Sequence, residues 1–349
     1  ILEAIVFFNY TSPEFNVYIC QLPFKVLTAF YFWKSINENN FKNWFFLSIY
    51  CFLGVMSHYS FFFLIFSLVL YFIFFVKKNN KNIIFFYLAA CLFIFLLLPH
   101  VFWLIENDLI TVKYALSRSA IENKSLVDHF VNPVIFLFKQ FGMLSIFILM
   151  TFTIVSFDKK KFKFQKINQK SLFLIFITLI PIFLVLLVSL ITGAKIRTMW
   201  MSTFYLFFGI LFIYFIQGKI VLKKLRNFYL LFIFIFLLSP ITYAYISLSN
   251  DLKRTDYPGK EIARLVQNKW DQNFSNNIKI VIGDEWSAGN LSYHLSSRPI
   301  WKNELNDLVK KVKDNQGVIY TGNPKILKKI CPGVFGTIKP VGYCMIGKK

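Results

Sequence analysis

The sequence is poor in acidic residues, with 17 Asp and Glu against 39 Lys and Arg and a formal net charge of +22. It also lacks HExxH, paired CxxC, Walker and GxSxG motifs, so the common signatures of soluble enzymes are absent. A basic surplus often marks a nucleic-acid-binding protein, but that function needs a basic face on a folded soluble domain. Here most of the basic residues lie between apolar runs, and nucleic acid is not an expected partner.

Cysteine is scarce, with five residues in the chain. Cys20, Cys51 and Cys91 lie in apolar runs, where a cysteine commonly serves as a small buried hydrophobe. Cys331 and Cys344 lie in the more polar C-terminal part. They are candidates for a disulfide if that part is exported to an oxidising compartment, although spacing alone does not fix the geometry.

Apolar residues make up 56% of the chain and aromatic residues 20%, a composition that indicates a membrane protein. We predict nine spans, with Pro99 and Pro240 at span ends. The first, ILEAIVFF, reads as only the tail of an apolar segment, because it is far shorter than the ~20 residues that a span requires. We therefore expect the sequence to be an N-terminally truncated fragment. The predicted spans are 1–8, 18–36, 44–57, 61–76, 83–99, 134–157, 171–191, 199–216 and 228–248.

Three alternate connections, 77–82, 158–170 and 217–227, are strongly basic, and Asp158 is their only acid. The positive-inside rule places this set in the cytoplasm. The other set, residues 9–17, 99–130 and 192–198, is then outside, together with the tail after 249. We therefore predict an inner-membrane protein of a bacterium, with its C-terminal domain in the periplasm.

The chain changes character after residue 249. KEIARLVQNKW and NPKILKKI have helical patterns, whereas IKIVIGD and GVIYTG have the pattern of strands. The predicted fold class is thus an α-helical polytopic membrane domain over 1–249, followed by a small α/β domain over 250–349.

The predicted outer loop 99–124 carries too many charges for hydrocarbon. Carboxylates there could act as a base or bind a metal, and cations could hold a phosphate. A solvated loop with internal ion pairs is the alternative, and a tryptophan at this depth can simply anchor a helix at the lipid interface. The candidate residues are Glu106, Asp108, His100, Trp103 and Lys113.

Three further outer segments contain candidates. Lys195 and Arg197 oppose the positive-inside bias, which favours a lipid-linked phosphate as their ligand, although lipid headgroups or the acids of 99–124 would also compensate their charge. His58 and Tyr59 interrupt two apolar runs, and such a histidine is commonly a hydrogen-bonded turn residue. Glu14 and Asn16 lie in another predicted outer segment and could face the same cavity as His58 and Tyr59.

PHVFWLIENDL, SHYS, the K-x-R loop at 195–197, DYPGKEIARLV and GDEWSAGNLSYHLSSRP together resemble the family 39 glycosyltransferases. These are GT-C type membrane enzymes related to the protein O-mannosyltransferases and the lipid A aminoarabinose transferase. The likeness runs over nearly the whole chain. It departs from the family at His58, where many relatives have Lys, and at NYTSPEF, which aligns only loosely with their TPD-like triplet.

The resemblance implies transfer of a sugar from a polyprenyl-phosphate donor to a lipid, glycan or protein acceptor at the periplasmic face. It also implies that the main catalytic base lies in an outer loop preceding Ile1, with Glu14 or Asn16 near the position of a second acid. A divalent cation is a candidate cofactor. The alternatives are a flippase or transporter of lipid-linked or anionic solutes, or a membrane-anchored sensor whose tail binds a ligand.

Overall fold

The computed structural model describes residues 2–11, 15–38, 40–76, 80–119, 125–155, 167–216, 220–249, 257–302 and 317–349. The chain divides into two compact units, Ile1–Ile246 and Ser247–Lys349. The first unit consists of helices, and the second combines helices with a small sheet. This is the predicted fold class, a polytopic helical domain followed by an α/β domain.

The helices of the first unit are long and mostly apolar. Short 3₁₀ segments lie at Leu2–Ala4, Val6–Phe8 and Leu222–Lys224, and a longer one lies at Thr198–Phe207. The α-helices are α1 Val17–Glu38, α2 Phe41–Ser57, α3 Phe61–Phe75, α4 Asn80–Glu106, α5 Ile110–Arg118, α6 Asp128–Ile154, α7 Gln169–Thr192, α8 Phe208–Ile216 and α9 Leu225–Ser249.

Within the described residues, five helices are long and apolar enough to cross a membrane: Asn80–Glu106, Asp128–Ile154, Gln169–Thr192, Thr198–Ile216 and Leu222–Ser249. Helices α1, α2 and α3 coincide with three further predicted spans. The last two have only 17 and 15 residues, fewer than the ~20 that a span requires. The predicted partial first span forms two short 3₁₀ turns instead.

Two apolar cores hold the first unit together. One core joins α1, α2, α3, α4 and α7 around the fully buried rings of Phe32, Trp44 and Tyr71. The other joins α6, α7, α8 and the 198–207 segment around Phe147 and Phe204. Because α7 contributes to both cores, it connects the early and late helices of the unit.

The predicted outer loop 99–124 is largely helical in its described part. Helix α4 continues through Pro99 to Glu106, and α5 then begins at Ile110. Pro240 likewise lies inside α9, so neither proline ends a helix. The physical reason at Pro99 is that the apolar and aromatic residues following it still favour the helix, which absorbs the lost hydrogen bond.

The second unit contains a five-stranded sheet in the order β2-β1-β3-β5-β4. Strand β1 is parallel to β2 and β3, and β5 is antiparallel to β3 and β4. Its elements are α10 Gly259–Asp271, β1 Ile280–Ile282, α11 Ser287–His294, β2 Ile300–Lys302, β3 Val318–Gly322, α12 Pro324–Ile330, β4 Val334–Ile338 and β5 Val341–Ile346.

Alternate strand residues face opposite layers of helices, as the pleat of a strand requires. Val281 and Ile319 lie in the core that includes α10 and α11, whereas Ile282 and Tyr320 lie in the core beneath α12. A disulfide joins Cys331, which follows α12, to Cys344 in β5, with 5.6 Å between their Cα atoms. This covalent link fixes α12 to its own face of the sheet.

Candidate active site

The candidate site begins at the N-terminal end of α1. The side-chain oxygen of Asn16 accepts hydrogen bonds from the backbone N–H groups of Tyr18 and Ile19, at 2.9 and 3.3 Å. Asn16 thus caps the helix, a role in which asparagine satisfies amide groups that have no partner within the first turn. The cap fixes the position of Tyr18, whose ring lies 5.0 Å from that of His58.

A buried polar network lies one and two helical turns further along α1. Lys25 is 2% exposed, and its Nζ donates to the hydroxyl of Thr203 at 2.6 Å while lying 3.2 Å from the centre of the Phe204 ring. Thr203 donates in turn to Oε1 of Gln21 at 3.0 Å. The Gln21 amide nitrogen then donates to the backbone carbonyl of His58 at 2.9 Å.

The turn between α2 and α3 is therefore held from α1. Within the turn, Nδ1 of His58 lies 2.8 Å from the Ser60 hydroxyl and accepts from the Ser60 backbone N–H at 3.1 Å. Since Nδ1 accepts that bond, the tautomer that fits carries its proton on Nε2. His58 is thus a hydrogen-bonded turn residue, the alternative that the sequence left open, and it lies against Tyr18 as well.

Tyr59 connects the same turn to α4 and α5. Its hydroxyl lies 2.7 Å from Nε2 of His100 and 2.9 Å from the hydroxyl of Thr111. The ring of His100 stacks on that of Trp103, with centroids 5.8 Å apart. Trp103 is 43% exposed, which suits a helix anchor at a lipid interface.

Two arginines act on the start of α1. The guanidinium groups of Arg118, at the end of α5, and Arg197, which precedes the 198–207 segment, both interact electrostatically with Tyr18. The two connections are joined by a hydrogen bond from the Lys195 backbone N–H to the Ser119 carbonyl, at 3.1 Å. Among the described residues, no carboxylate lies within ion-pair distance of Arg197.

Glu106 and Asp108 lie at the other end of α5. Glu106 ends α4, and Asp108 has a left-handed backbone with φ of 54° in the turn before α5. Both side chains are exposed, as is that of Lys113. At ~1.5 Å per helical residue, the nine residues of α5 are about 14 Å long, and Arg118 is the last of them. Glu14 lies outside the described residues.

The structure thus brings together several residues singled out in the sequence. Asn16, His58, Tyr59, His100 and Trp103 are linked through the contacts above, and Arg197 interacts electrostatically with Tyr18. Lys113 and Lys195 are exposed. Sequence reasoning missed Tyr18, Gln21, Lys25 and Thr203. The available signal was Lys25 itself, because an ionisable residue within an apolar run marks a candidate functional site.

The described part of the chain contains no group of three or more His, Cys, Asp or Glu side chains positioned to hold a metal ion. The chemistry available at this site is instead cationic and hydroxylic. Arginine can bind a phosphate through two parallel hydrogen bonds, and the tyrosine and histidine side chains can orient hydroxyl groups. Such a site suits an anionic ligand with a polar head.

Comparison with known proteins agrees with this chemistry. Residues 1–103 match the family model described as dolichyl-phosphate-mannose-protein mannosyltransferase. The match extends from the first residues through α1, α2 and α3 into α4, and it confirms the predicted resemblance over that part of the chain. No curated protein and no solved structure matches the chain. The match covers less than a third of the chain, and five described helices, four of them beyond the matched segment, are long and apolar enough to cross a membrane.

Proposed function

We propose that the chain transfers a sugar from a polyprenyl-phosphate donor to a lipid, glycan or protein acceptor, and that the donor phosphate binds between Arg118 and Arg197 beside Tyr18. The observation that carries the proposal is Arg197, a cation that acts on the first turn of α1 and has no carboxylate partner among the described residues. Helix α1 lies within the segment that matches the mannosyltransferase family.

The chemistry needs a cation at this position. When the bond from the sugar to the phosphate breaks, the polyprenyl phosphate leaves with additional negative charge. A guanidinium group held close to it stabilises that charge in the transition state, and its fork geometry fits two phosphate oxygens at once. A water-poor membrane site strengthens this interaction relative to bulk water.

A carboxylate must deprotonate or orient the acceptor hydroxyl, and it must come within hydrogen-bond reach of that group. Glu106 and Asp108 are candidates, but the length of α5 separates them from Arg118. Glu14 is the nearer candidate in sequence, because it precedes Tyr18 by four residues.

The proposal also includes a location. The charge distribution of the connections favours a bacterial inner membrane, with the site and the C-terminal unit on the periplasmic side. A disulfide in the C-terminal unit is in keeping with export to an oxidising compartment.

The test is a transfer assay on the full-length natural protein in lipid nanodiscs, supplied with radiolabelled polyprenyl-phosphate mannose and a mixture of lipid, glycan and protein acceptors. We expect release of polyprenyl phosphate coupled to labelling of an acceptor. Arg197→Ala should slow release at least tenfold, the effect of losing about 1.4 kcal/mol of transition-state stabilisation, and Arg197→Lys should retain part of it.

Arg226→Ala is the matched control, because Arg226 is an exposed arginine at the start of α9, in a connection predicted to be cytoplasmic. Equal loss in the two alanine variants would refute the role of Arg197. Absence of release from the natural protein, accompanied by movement of intact labelled lipid across vesicle membranes, would establish the transporter alternative in place of the transferase.

A further inference from the structure

Lys25 is the least expected charged residue of the first unit. It lies in the third turn of α1, is 2% exposed, and has no carboxylate within ion-pair distance among the described residues. Burying a lysine without an ion-pair partner is costly. Because an apolar residue of similar size would avoid this cost, we expect the ammonium group of Lys25 to have a role that such a residue could not fill.

The contacts of Lys25 indicate what that is. Through Thr203, its Nζ contacts the 198–207 segment, and through Thr203 and Gln21 it is linked to the carbonyl of His58 in the turn between α2 and α3. Lys25 and Thr203 are 178 residues apart in sequence, and Thr203 and Gln21 are 182 residues apart. One polar chain thus connects α1 to two other segments of the candidate site.

The 198–207 segment and the turn between α2 and α3 each adjoin or contain a candidate ligand-binding residue. Arg197 immediately precedes the 198–207 segment, and His58 lies against Tyr18. Phe204, whose ring carries Lys25 on its face, is 1% exposed and packs within the second apolar core. The network therefore connects the apolar core to the residues around the proposed phosphate site.

We infer that Lys25 is a positioning residue of the donor site: it acts through Thr203 and Gln21 to hold Arg197 and the His58 turn in register with Tyr18. The inference rests on the proposed function, because it assigns Lys25 to the same phosphate site. Lys25 does not contact the donor itself. The hydroxyl of Thr203, and not merely the volume of that side chain, is needed to hold Arg197 and the His58 turn in place.

The experiment measures binding of undecaprenyl phosphate and of the neutral undecaprenol to the full chain in nanodiscs, without any transfer step. Thr203→Val removes the hydroxyl at nearly constant volume, and Thr203→Ser keeps it. Lys25→Met removes the ammonium group, with Lys34→Met as the control on the same helix, because Lys34 is a partly exposed lysine whose Nζ pairs with Glu38 at 3.6 Å.

We expect Thr203→Val and Lys25→Met each to weaken binding of the phosphate about tenfold, as loss of a buried hydrogen bond does. Thr203→Ser and Lys34→Met should bind as the natural protein does, and binding of the neutral alcohol should not change in any variant. The double variant Lys25→Met with Thr203→Val should lose no more than Thr203→Val alone, because Thr203→Val already removes the bond from Lys25 to Thr203 as well as the bond from Thr203 to Gln21.

Several outcomes would overturn the inference. Equal binding by Thr203→Val and Thr203→Ser would make the hydroxyl irrelevant, and parallel loss of phosphate and alcohol binding would indicate general destabilisation. If Lys25→Met does not fold, the Thr203 pair still decides the question. If the natural protein binds neither lipid, the proposed function fails, whereas normal binding by every variant refutes only the role of Lys25.

Discussion

The close approach of α2 to α3 gives a prediction whose size follows from the coordinates. Gly54 lies in α2, and a Cβ atom added there would lie 2.4 Å from Cε2 and Cζ of Phe61, the first residue of α3. Phe61 is fully buried, so its ring has no free space into which to rotate. Gly54→Ala must therefore displace the ring or separate the two helices next to the His58 turn.

Two effects oppose each other in this substitution. Replacing glycine by alanine within a helix gains about 1 kcal/mol of helix propensity, and overpacking a filled core costs about 1–3 kcal/mol. Gly142 in α6 provides the matched control, because a Cβ atom there would meet nothing within 4 Å. The difference between the two alanine variants removes the propensity gain and leaves the cost of the clash.

Thermal unfolding of the purified protein in detergent, followed by tryptophan fluorescence, measures this difference. We expect Gly142→Ala to unfold at the same temperature as the natural protein or above it, and Gly54→Ala to unfold several degrees below Gly142→Ala. At about 2–4 °C for each kcal/mol, the range of costs corresponds to about 2–12 °C. Equal stability of the two variants would show that Gly54 and Phe61 do not pack as described.

Two further predictions concern the C-terminal unit. The disulfide Cys331–Cys344 closes a loop of 13 residues, which corresponds to about 3 kcal/mol of stabilisation in the chain-entropy account; reductant should lower the unfolding temperature of this unit, and a variant with alanine at both positions should unfold at that lower temperature and no longer respond to reductant. Burial raises the pKa of Tyr343, so the folded unit favours the neutral phenol, and the stability that this residue contributes is fully present below pH ~10 and is lost as the pH rises beyond the phenol pKa of the unfolded chain. Tyr343→Phe should reduce this alkaline loss of stability in denaturation curves recorded at increasing pH, and an unchanged pH profile would contradict the assignment.

The local patterns of the sequence predict much of this fold. The helical spacing of apolar residues in KEIARLVQNKW predicts α10, and the short apolar segments IKIVIGD and GVIYTG contain β1 and β3. They do not reveal the 3₁₀ geometry at 198–207, because an apolar run carries no signal that separates α from 3₁₀ helix. Nor do they reveal that α4 passes through Pro99, since proline is more often a boundary than a tolerated interior residue.

The candidate site was predictable where polarity interrupts an apolar run. His58, Tyr59 and Arg197 stand out in this way. In the structure His58 lies against Tyr18 at the start of α1, Arg197 interacts electrostatically with Tyr18, and Tyr59 contacts His100 and Thr111. Thr203 and Gln21 were not predictable, because each is an unremarkable polar residue until the fold joins two segments that are distant in the chain. The network could not be predicted because its residues are far apart in sequence, although their hydrogen bonds are ordinary ones.

The 3₁₀ segment Thr198–Phe207 also has a mechanical property. A 3₁₀ helix rises about 2.0 Å per residue and an α-helix about 1.5 Å, so these ten residues would shorten by about 5 Å on conversion to the α form. Helix α8 continues directly from Phe207, so such a contraction would draw Arg197 toward α8 by that length, about one helical pitch. The bond between Thr203 and Lys25 lies near the middle of this segment, so a change of its length would also change the geometry of that bond.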